Sequence, residues 1–449
     1  MRMNLPRVMI AGTGSGAGKT TVCCGLLGAL KKRGKVSAFK CGPDYIDPMF
    51  HKNVLGVSSY NLDPFMMDEN TVKYVMGRYS QNFAVIEGVM GLYDGVGTGS
   101  ECSSNSVSIL TETPVLLVVN VKGMSLSAAA VVNGFKNFQR NYIKGILLSG
   151  TTQGMYPRYK EIIERETGLV VCGFMPYLPE ASFESRHLGL VTAGEVQGLK
   201  EKTELLASAA AEFLDIEFIC KIGESAPVLE YDEPIIKKTE SPVKIGIATD
   251  KAFCFYYESG LDVLRDMGAE LIPFSPLEDS RLPENIQGLI LGGGYPELFA
   301  GEFNKDLMAE IKKSVENGLP TVAECGGFMY LQQSLENMEG IRFRCAGALP
   351  GECRMTKKLN RFGYVNVTAN EDNLLCKKGE SLKAHEFHYS DSTACGTGFT
   401  AEKNGRTWQC VQAGSSLWAG YPHINFSGSI KAAERFMDKV ISYKMKGGR

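Results

Sequence analysis

The stretch VMIAGTGSGAGKTTVCCGLLGAL, residues 8–30, decides the fold of the first half of the chain. A short apolar run enters it. Gly12, Gly14, Gly16 and Gly18 alternate through its middle, and an apolar helix-like run follows Lys19, Thr20 and Thr21. Glycines permit a backbone path that side chains would block, so successive N–H groups turn inward and cradle phosphate oxygens. A helix beginning near Lys19 adds the positive end of its dipole. Lys19 supplies a point charge for the β and γ phosphates, and Thr20 a hydroxyl for Mg²⁺. The ATP site expected from this run is Gly12, Thr13, Gly14, Ser15, Gly16, Ala17, Gly18, Lys19, Thr20 and Thr21.

The spacing is one residue longer than the usual G-x-x-x-x-G-K-[ST], which would want glycine where Thr13 stands. Gly12–Ala17 also satisfies the dinucleotide pattern G-x-G-x-x-[GA]. That pattern gives Lys19, Thr20 and Thr21 no role, and no acid ends a second strand at the offset it requires. A nucleoside triphosphate is the expected ligand. The longer loop resembles the dethiobiotin synthetase type of P-loop protein, a group that uses ATP to phosphorylate a carboxylate or carbamate.

Outward from the loop, short apolar runs alternate with amphipathic ones. Strands are expected at Val8–Ala11, Val36–Lys40, Phe83–Ile86, Val115–Asn120 and Gly145–Leu148, with helices at Thr20–Arg33 and Leu126–Phe138. The alternation predicts βαβ units around a parallel sheet. Residues 217–242 are charged, hold three prolines and keep no period, so they read as a linker. A new strand begins at Val243, followed by a helix over Tyr257–Met267 and strands at Glu270–Pro273, Gly288–Leu291 and Thr321–Ala323. The expected organisation is an α/β chain of two domains, 1–216 and 243–449, each a mostly parallel sheet flanked by helices.

Composition narrows the class. A formal net charge of −2 gives no electrostatic footprint for nucleic acid or an anionic membrane. The thirteen cysteines form no C-x-x-C pair, so buried, reduced thiols of a cytoplasmic protein are expected. The opening MRMNLPRVMI does not read as a signal peptide, and no run approaches the roughly 20 apolar residues of a membrane helix.

Acids follow two more strands of the first half. FKCGPDYIDP supplies Asp44 and Asp47, and FAVIEGVMGLYDG supplies Glu87 and Asp94. Ligands of open α/β sheets sit beyond the carboxyl ends of the strands, where such acids can meet Thr20 around a Mg²⁺ that bridges phosphates. Thr20, Asp47 and Glu87 are the candidate metal ligands. Lys40, Asp44, Tyr45 and Asp94 are the candidates for substrate binding and activation. Asp44 and Asp47 flank prolines and also suit ordinary turns.

In the second half, LPTVAECGGFMYLQQSL reads as a strand, then Glu-Cys-Gly-Gly, then a helix over Phe328–Leu335. A nucleophile between strand and helix needs small neighbours, which Gly326 and Gly327 provide after Cys325. The helix N-terminus is expected to lower the thiol pKa. Gly326 N–H, with Gly293 and Gly294 of LILGGGYPE, forms the expected oxyanion hole. The partner base should be histidine. AHEFHYS, with His385 and His388, and LWAGYPHINF, with His423, both qualify on spacing.

Taken together, AGTGSGAGKTT, FKCGPDYIDPMFH, SYNLDPFM, VIEGVMGLYDG, SRHLGL, ATDKAFCFYY, GGGYPE, AECGGFMYL, HEFHYS and GYPHINF resemble the cobyrinic acid a,c-diamide synthase family over nearly the whole chain. The resemblance implies a dethiobiotin-synthetase-like P-loop domain and a class I glutamine amidotransferase domain. It implies glutamine hydrolysis at Cys325 with His423 as base, and attack of the ammonia on a carboxylate that ATP has converted to an acyl phosphate. Two acetate side chains of a corrin ring, a and c, would be amidated. Most class I members carry glutamate two residues after the histidine. Asn425 stands there, so the resemblance implies a Cys–His dyad.

The resemblance further implies Mg²⁺, ATP, L-glutamine and a corrin-type tetrapyrrole as ligands and loops around PDYIDP and SRHLGL as macrocycle contacts; the sequence leaves the oligomeric state open, a homodimer being one candidate. The same chemistry on Ni-sirohydrochlorin or hydrogenobyrinate is the nearest alternative. A P-loop ATPase switch with a non-catalytic C-terminal domain is the reading from a different class. A third is an inactive amidotransferase fold that binds a partner.

Overall fold

The computed structural model describes residues 1–181 and 193–445. The chain forms two compact units, Met1–Pro234 and Ile235–Arg449.

The first unit is built on a seven-stranded sheet in the order Ser59–Leu62, Val36–Cys41, Phe83–Glu87, Arg7–Gly12, Val115–Asn120, Ile143–Ser149, Val170–Phe174. Every adjacent pair is parallel. Strands covered on both faces need near-continuous apolar runs, and VLLVV and RVMIA supply them fully buried. Arg7 is buried with them. Its guanidinium donates to Thr111 O at 3.2 and 2.8 Å and to Leu5 O at 2.9 Å, which satisfies a charge that would otherwise be costly there. The expected strands are present: Val115–Asn120 keeps its bounds, the others are longer by one to three residues, and Ser59–Leu62 and Val170–Phe174 are additional.

The expected linker is structured over its first half. Ile216–Glu224 is a helix capped by Asp215, whose Oδ1 accepts from Phe218 N at 3.0 Å. Leu229–Glu230 pairs antiparallel with Arg2–Met3. Ile216, Ile219 and Ile222 bury one face of this helix, a period too short to stand out among the surrounding charges.

The second unit has a six-stranded sheet in the order Ala269–Phe274, Val243–Ala248, Gly288–Leu291, Thr321–Glu324, Leu417–Gly420, Gln412–Gly414. Its first five strands are parallel and the last is antiparallel. A five-stranded antiparallel sheet, not anticipated from the sequence, runs Arg406–Cys410, Phe399–Lys403, Arg361–Ala369, Ser381–His388, His423–Ile424. One core joins the two sheets: Ile245, Val322 and Trp418 from the first pack with Val365, Val367 and Phe399 from the second. The expected helix over Phe328–Leu335 stops at Leu331, and Ser334–Glu336 is a strand. Buried Gln332 ends it, with its Oε1 accepting from Ser392 Oγ at 2.9 Å.

Among the described residues, no helix is long and apolar enough to cross a membrane. All thirteen cysteines are free thiols.

Candidate active sites

In the first unit the loop Gly12–Gly18 joins the buried strand Arg7–Gly12 to the helix Lys19–Lys31. Gly18 lies at φ 98°, a left-handed conformation that side chains disfavour, and starts the helix without a side-chain cap. The first-turn N–H groups therefore face whatever occupies the loop. Ser149 on a neighbouring strand donates to Ala17 O at 2.7 Å and fixes the loop from behind. Lys19 Nζ donates to Gly14 O at 3.0 Å and to Met90 O at 2.5 Å. Burial, then Lys40, lowers its pKa.

Beside the loop stands a compact charge cluster. Thr20 Oγ1 donates to Glu87 Oε1 at 2.8 Å, and Lys40 Nζ reaches the same oxygen at 3.1 Å. Lys40 also pairs with Asp47 and lies 4.0 Å from Asp44 Oδ2. His51 Nε2 is 3.4 Å from Glu87 Oε2, while its Nδ1 meets Ser59 Oγ at 3.1 Å. Burial alone would raise the Glu87 pKa, but Lys40, then His51 and Thr20, hold it well below the usual carboxylate range. Burial and then Glu87 push Asp47 up to about 7 against the pull of Lys40. Asp44 and Asp94 also serve their own turns: Asp44 Oδ1 accepts from Ile46 N at 2.8 Å, and Asp94 Oδ2 from Gly91 N at 2.8 Å.

In the second unit Cys325 follows the strand Thr321–Glu324 and starts the helix Gly326–Leu331 at φ 45°, ψ −98°. A non-glycine residue at such a φ is strained, as nucleophile turns are. The turn packs tightly: a Cβ on Gly327 would lie 2.1 Å from Leu291 O, and one on Gly326 would lie 3.2 Å from Gly294 N. Gly326 and Gly294 therefore adjoin one another at the thiol. The strands Thr321–Glu324 and Leu417–Gly420 run in parallel with Glu324 opposite Gly420, so the chain beyond each leads to Cys325 and His423 at the same sheet end. His423 is 2% exposed and its Cε1 lies where a Cβ on Gly293 would stand, 2.5 Å away. Its Nδ1 is 3.2 Å from Glu324 Oε2.

The expected lowering of the thiol pKa is reversed. Burial, then Glu297, Glu324 and Glu386, push Cys325 well up, and the Gly326 N–H offsets only part of this. A six-residue helix behind the thiol is outweighed by low dielectric and carboxylates.

Residues 8–190 match the CobQ/CobB/MinD/ParA nucleotide binding domain, and residues 244–430 match the CobB/CobQ-like glutamine amidotransferase domain. The cobyrinate a,c-diamide synthase of Caldanaerobacter subterraneus is 40% identical, covering 98% of this chain and 99% of that one. Those of Thermoplasma volcanium, 37% identical over 99% of both chains, and Listeria innocua, 40% identical over 94% and 96%, are similar at the same level. The chain belongs to the cobyrinate a,c-diamide synthase family.

Against the cobyrinate a,c-diamide synthase motifs, the structure gathers Thr20, Lys40, Asp44, Asp47 and Glu87 in one place and sets Lys19 on the phosphate loop. It sets His423, rather than His385 or His388, against the glycine turn. His385 and His388 are buried; burial and then His423 push His385 down to about 3, and burial pushes His388 down to about 4 against the hydrogen bond to Ser390 O. His388 stacks on Tyr421 at 3.8 Å. The motif SRHLGL, residues 185–190 with His187, lies outside the described residues.

Two site residues escaped the sequence reading. His51 had a usable signal, since it sits four residues after Asp47 on the helix Ile46–Asn53 and so shares its face. Glu324 had none. Its contact with His423 comes from the fold, not from a motif spacing.

Proposed function

We propose that the chain makes two amides on a corrin-type dicarboxylate, the a and c acetates of cobyrinate, using ATP and glutamine. The observation that carries this reading is the presence, in one chain of this family, of a phosphate loop backed by the Lys40–Asp47–Glu87 cluster and a thiol on a left-handed turn whose neighbouring glycine loop, Gly293–Gly294, adjoins His423.

In the first unit, the carboxylate oxygen of the substrate attacks the γ phosphorus and ADP leaves, giving an acyl phosphate. Lys19 exchanges its carbonyl partners for phosphate oxygens, a trade that its lowered pKa and buried position favour. Lys40 offers a second cation for the charge that builds during transfer. Thr20, Asp47 and Glu87 present hard oxygen donors, and Glu87 Oε2 is buried without a hydrogen bond, so this set fits Mg²⁺. Bound there, Mg²⁺ would neutralise phosphate charge.

In the second unit, His423 takes the proton of Cys325 and the sulfur attacks the glutamine carboxamide. Ammonia leaves with a proton from the imidazolium, and water releases glutamate from the thioester. Ammonia then displaces phosphate from the acyl phosphate. Joining both activities in one chain serves two short-lived species, since ammonia becomes unreactive ammonium in water and acyl phosphates hydrolyse. Reduced thiols fit a cytoplasmic setting.

The test is product mass after incubation with cobyrinate, Ni-sirohydrochlorin or hydrogenobyrinate, each with ATP, Mg²⁺ and glutamine. Cobyrinate should emerge with two carboxyl OH groups replaced by NH₂. Conversion of another macrocycle in its place would reassign the substrate, and glutaminase activity without any amide product would refute the reading.

A further inference from the structure

Most class I amidotransferases carry glutamate two residues after the histidine, and here that position is Asn425. The asparagine is engaged elsewhere. Its Oδ1 accepts from Ser427 N at 3.0 Å and Ser427 Oγ at 2.6 Å, which caps the turn Phe426–Gly428. A Cβ on Gly260 would meet the same oxygen at 2.8 Å, so the helix Glu258–Asp266 closes over it.

The carboxylate comes from the other direction in the chain. Glu324 Oε2 lies 3.2 Å from His423 Nδ1, and Glu324 Oε1 accepts from Ile424 N at 3.2 Å. Both oxygens are thus fastened to the short strand that carries the imidazole. The side chains are 3% and 12% exposed for His423 and Glu324, so water competes weakly for the contact. The left-handed turn at Cys325 redirects the chain immediately after Glu324.

We propose that Glu324 is the positioning carboxylate of the thiol site. Resting on the glutamine-hydrolysing reading above, it accepts the His423 Nδ1–H and so leaves the Nε2 lone pair for the Cys325 proton. As the S–H bond breaks and the Nε2–H bond forms, Glu324 stabilises the imidazolium. When that proton passes to the leaving nitrogen, ammonia departs and the neutral ring returns. Glu324 touches neither sulfur nor glutamine, and it acts through His423.

The experiment compares the full-length wild-type chain with Glu324→Gln and Glu324→Asp. Three readouts are taken: glutaminase kcat and KM, amidation supported by ammonium salt, and ¹⁵N-histidine NMR of the imidazole tautomer. Glu324→Gln should lower glutaminase kcat by about a hundredfold to ten-thousandfold with little change in KM, as expected when a base is left in the wrong tautomer. Ammonia-supported amidation should persist, which shows the chain folded. The NMR should show His423 as the Nδ1–H form in the wild type and the Nε2–H form populated in the Gln variant. A wild-type kcat, or an unchanged Nδ1–H tautomer, in Glu324→Gln overturns the proposal.

Should the Gln variant not fold, Glu324→Asp decides. It keeps the charge but shortens the reach, so kcat should fall by at least about tenfold, and a full kcat overturns the proposal. If the wild type hydrolyses no glutamine, the functional reading fails, and the tautomer measurement, which needs no glutamine, still decides the part played by Glu324.

Discussion

Around the phosphate loop, the ionisable groups Lys19, Lys40, Asp47 and Glu87 are largely buried and tied to protein partners. Around the thiol turn, burial and carboxylates oppose ionisation of Cys325, and what is fixed instead is backbone: a left-handed φ and glycines pressed against Leu291 and Gly294. On the proposed function, the first site holds electrostatics in reserve for phosphate, and the second holds geometry and generates charge only during turnover. The difference suits their tasks, since one must bind a polyanion and the other must keep an idle thiol unreactive.

The largest test of this contrast is exchange of nitrogen source. Lys19→Met should reduce amide formation by about a thousandfold or more with either glutamine or ammonia, because it removes a group needed for phosphoryl transfer. Cys325→Ser should abolish glutamine-supported amidation to a similar degree yet leave the ammonia-supported rate close to wild type. Equal loss in both assays for Cys325→Ser would erase the division of labour.

Next comes stability. Lys40→Met leaves Asp47 and Glu87 buried without their cation, and urea unfolding should show a loss of about 3–5 kcal/mol. A change below about 1 kcal/mol would mean that solvent, not Lys40, compensates those acids.

Smaller effects separate the two glycine loops. Gly327→Ala forces a methyl against the Leu291 carbonyl, 2.1 Å from where the Cβ would stand. That overpacking should cost about 1–3 kcal/mol. Gly14→Ala meets nothing within 4 Å. Its thermal unfolding should stay within about 0.5 kcal/mol of wild type. Equal losses would show that both loops are held by packing.

The smallest effect is a pH dependence in the second unit. Burial pushes Glu386 up to about 7, with Arg361 and Lys403 pulling the other way. A carboxyl raised in the folded state keeps its proton there while the unfolded chain has released it. Stability therefore falls as pH rises from the ordinary glutamate range toward that value. Glu386→Gln lacks this loss, so its advantage over wild type should grow by about 1–2 kcal/mol between pH 5 and pH 8. A constant difference would show that Glu386 ionises as freely folded as unfolded.

Much of the fold was legible because parallel strands are continuous apolar runs. Val115–Asn120 matches its expected bounds, and Gly288–Leu291 does as well. The antiparallel sheet of the second unit escaped notice because strands such as Arg361–Ala369 mix Arg361 and Asn366 with Val365 and Val367, and register across a long connection leaves no local mark. The loop lysine, the thiol and the strand-end acids were readable from residue type and spacing. The partner of His423 was not, because its position depends on a backbone turn rather than on a pattern of side chains.

The short strand His423–Ile424 hydrogen-bonds to Ala384–His385 in the antiparallel sheet, whereas Cys325 leaves a strand of the parallel one. The proposed base and nucleophile are thus mounted on different layers, joined by the chain from Gly420 to His423 and by the two Glu324 hydrogen bonds. Under the proposed role of Glu324, a small slide of one layer past the other would stretch those two hydrogen bonds. Hydrolytic rate would then register the alignment of the two layers, as a vernier registers small displacement.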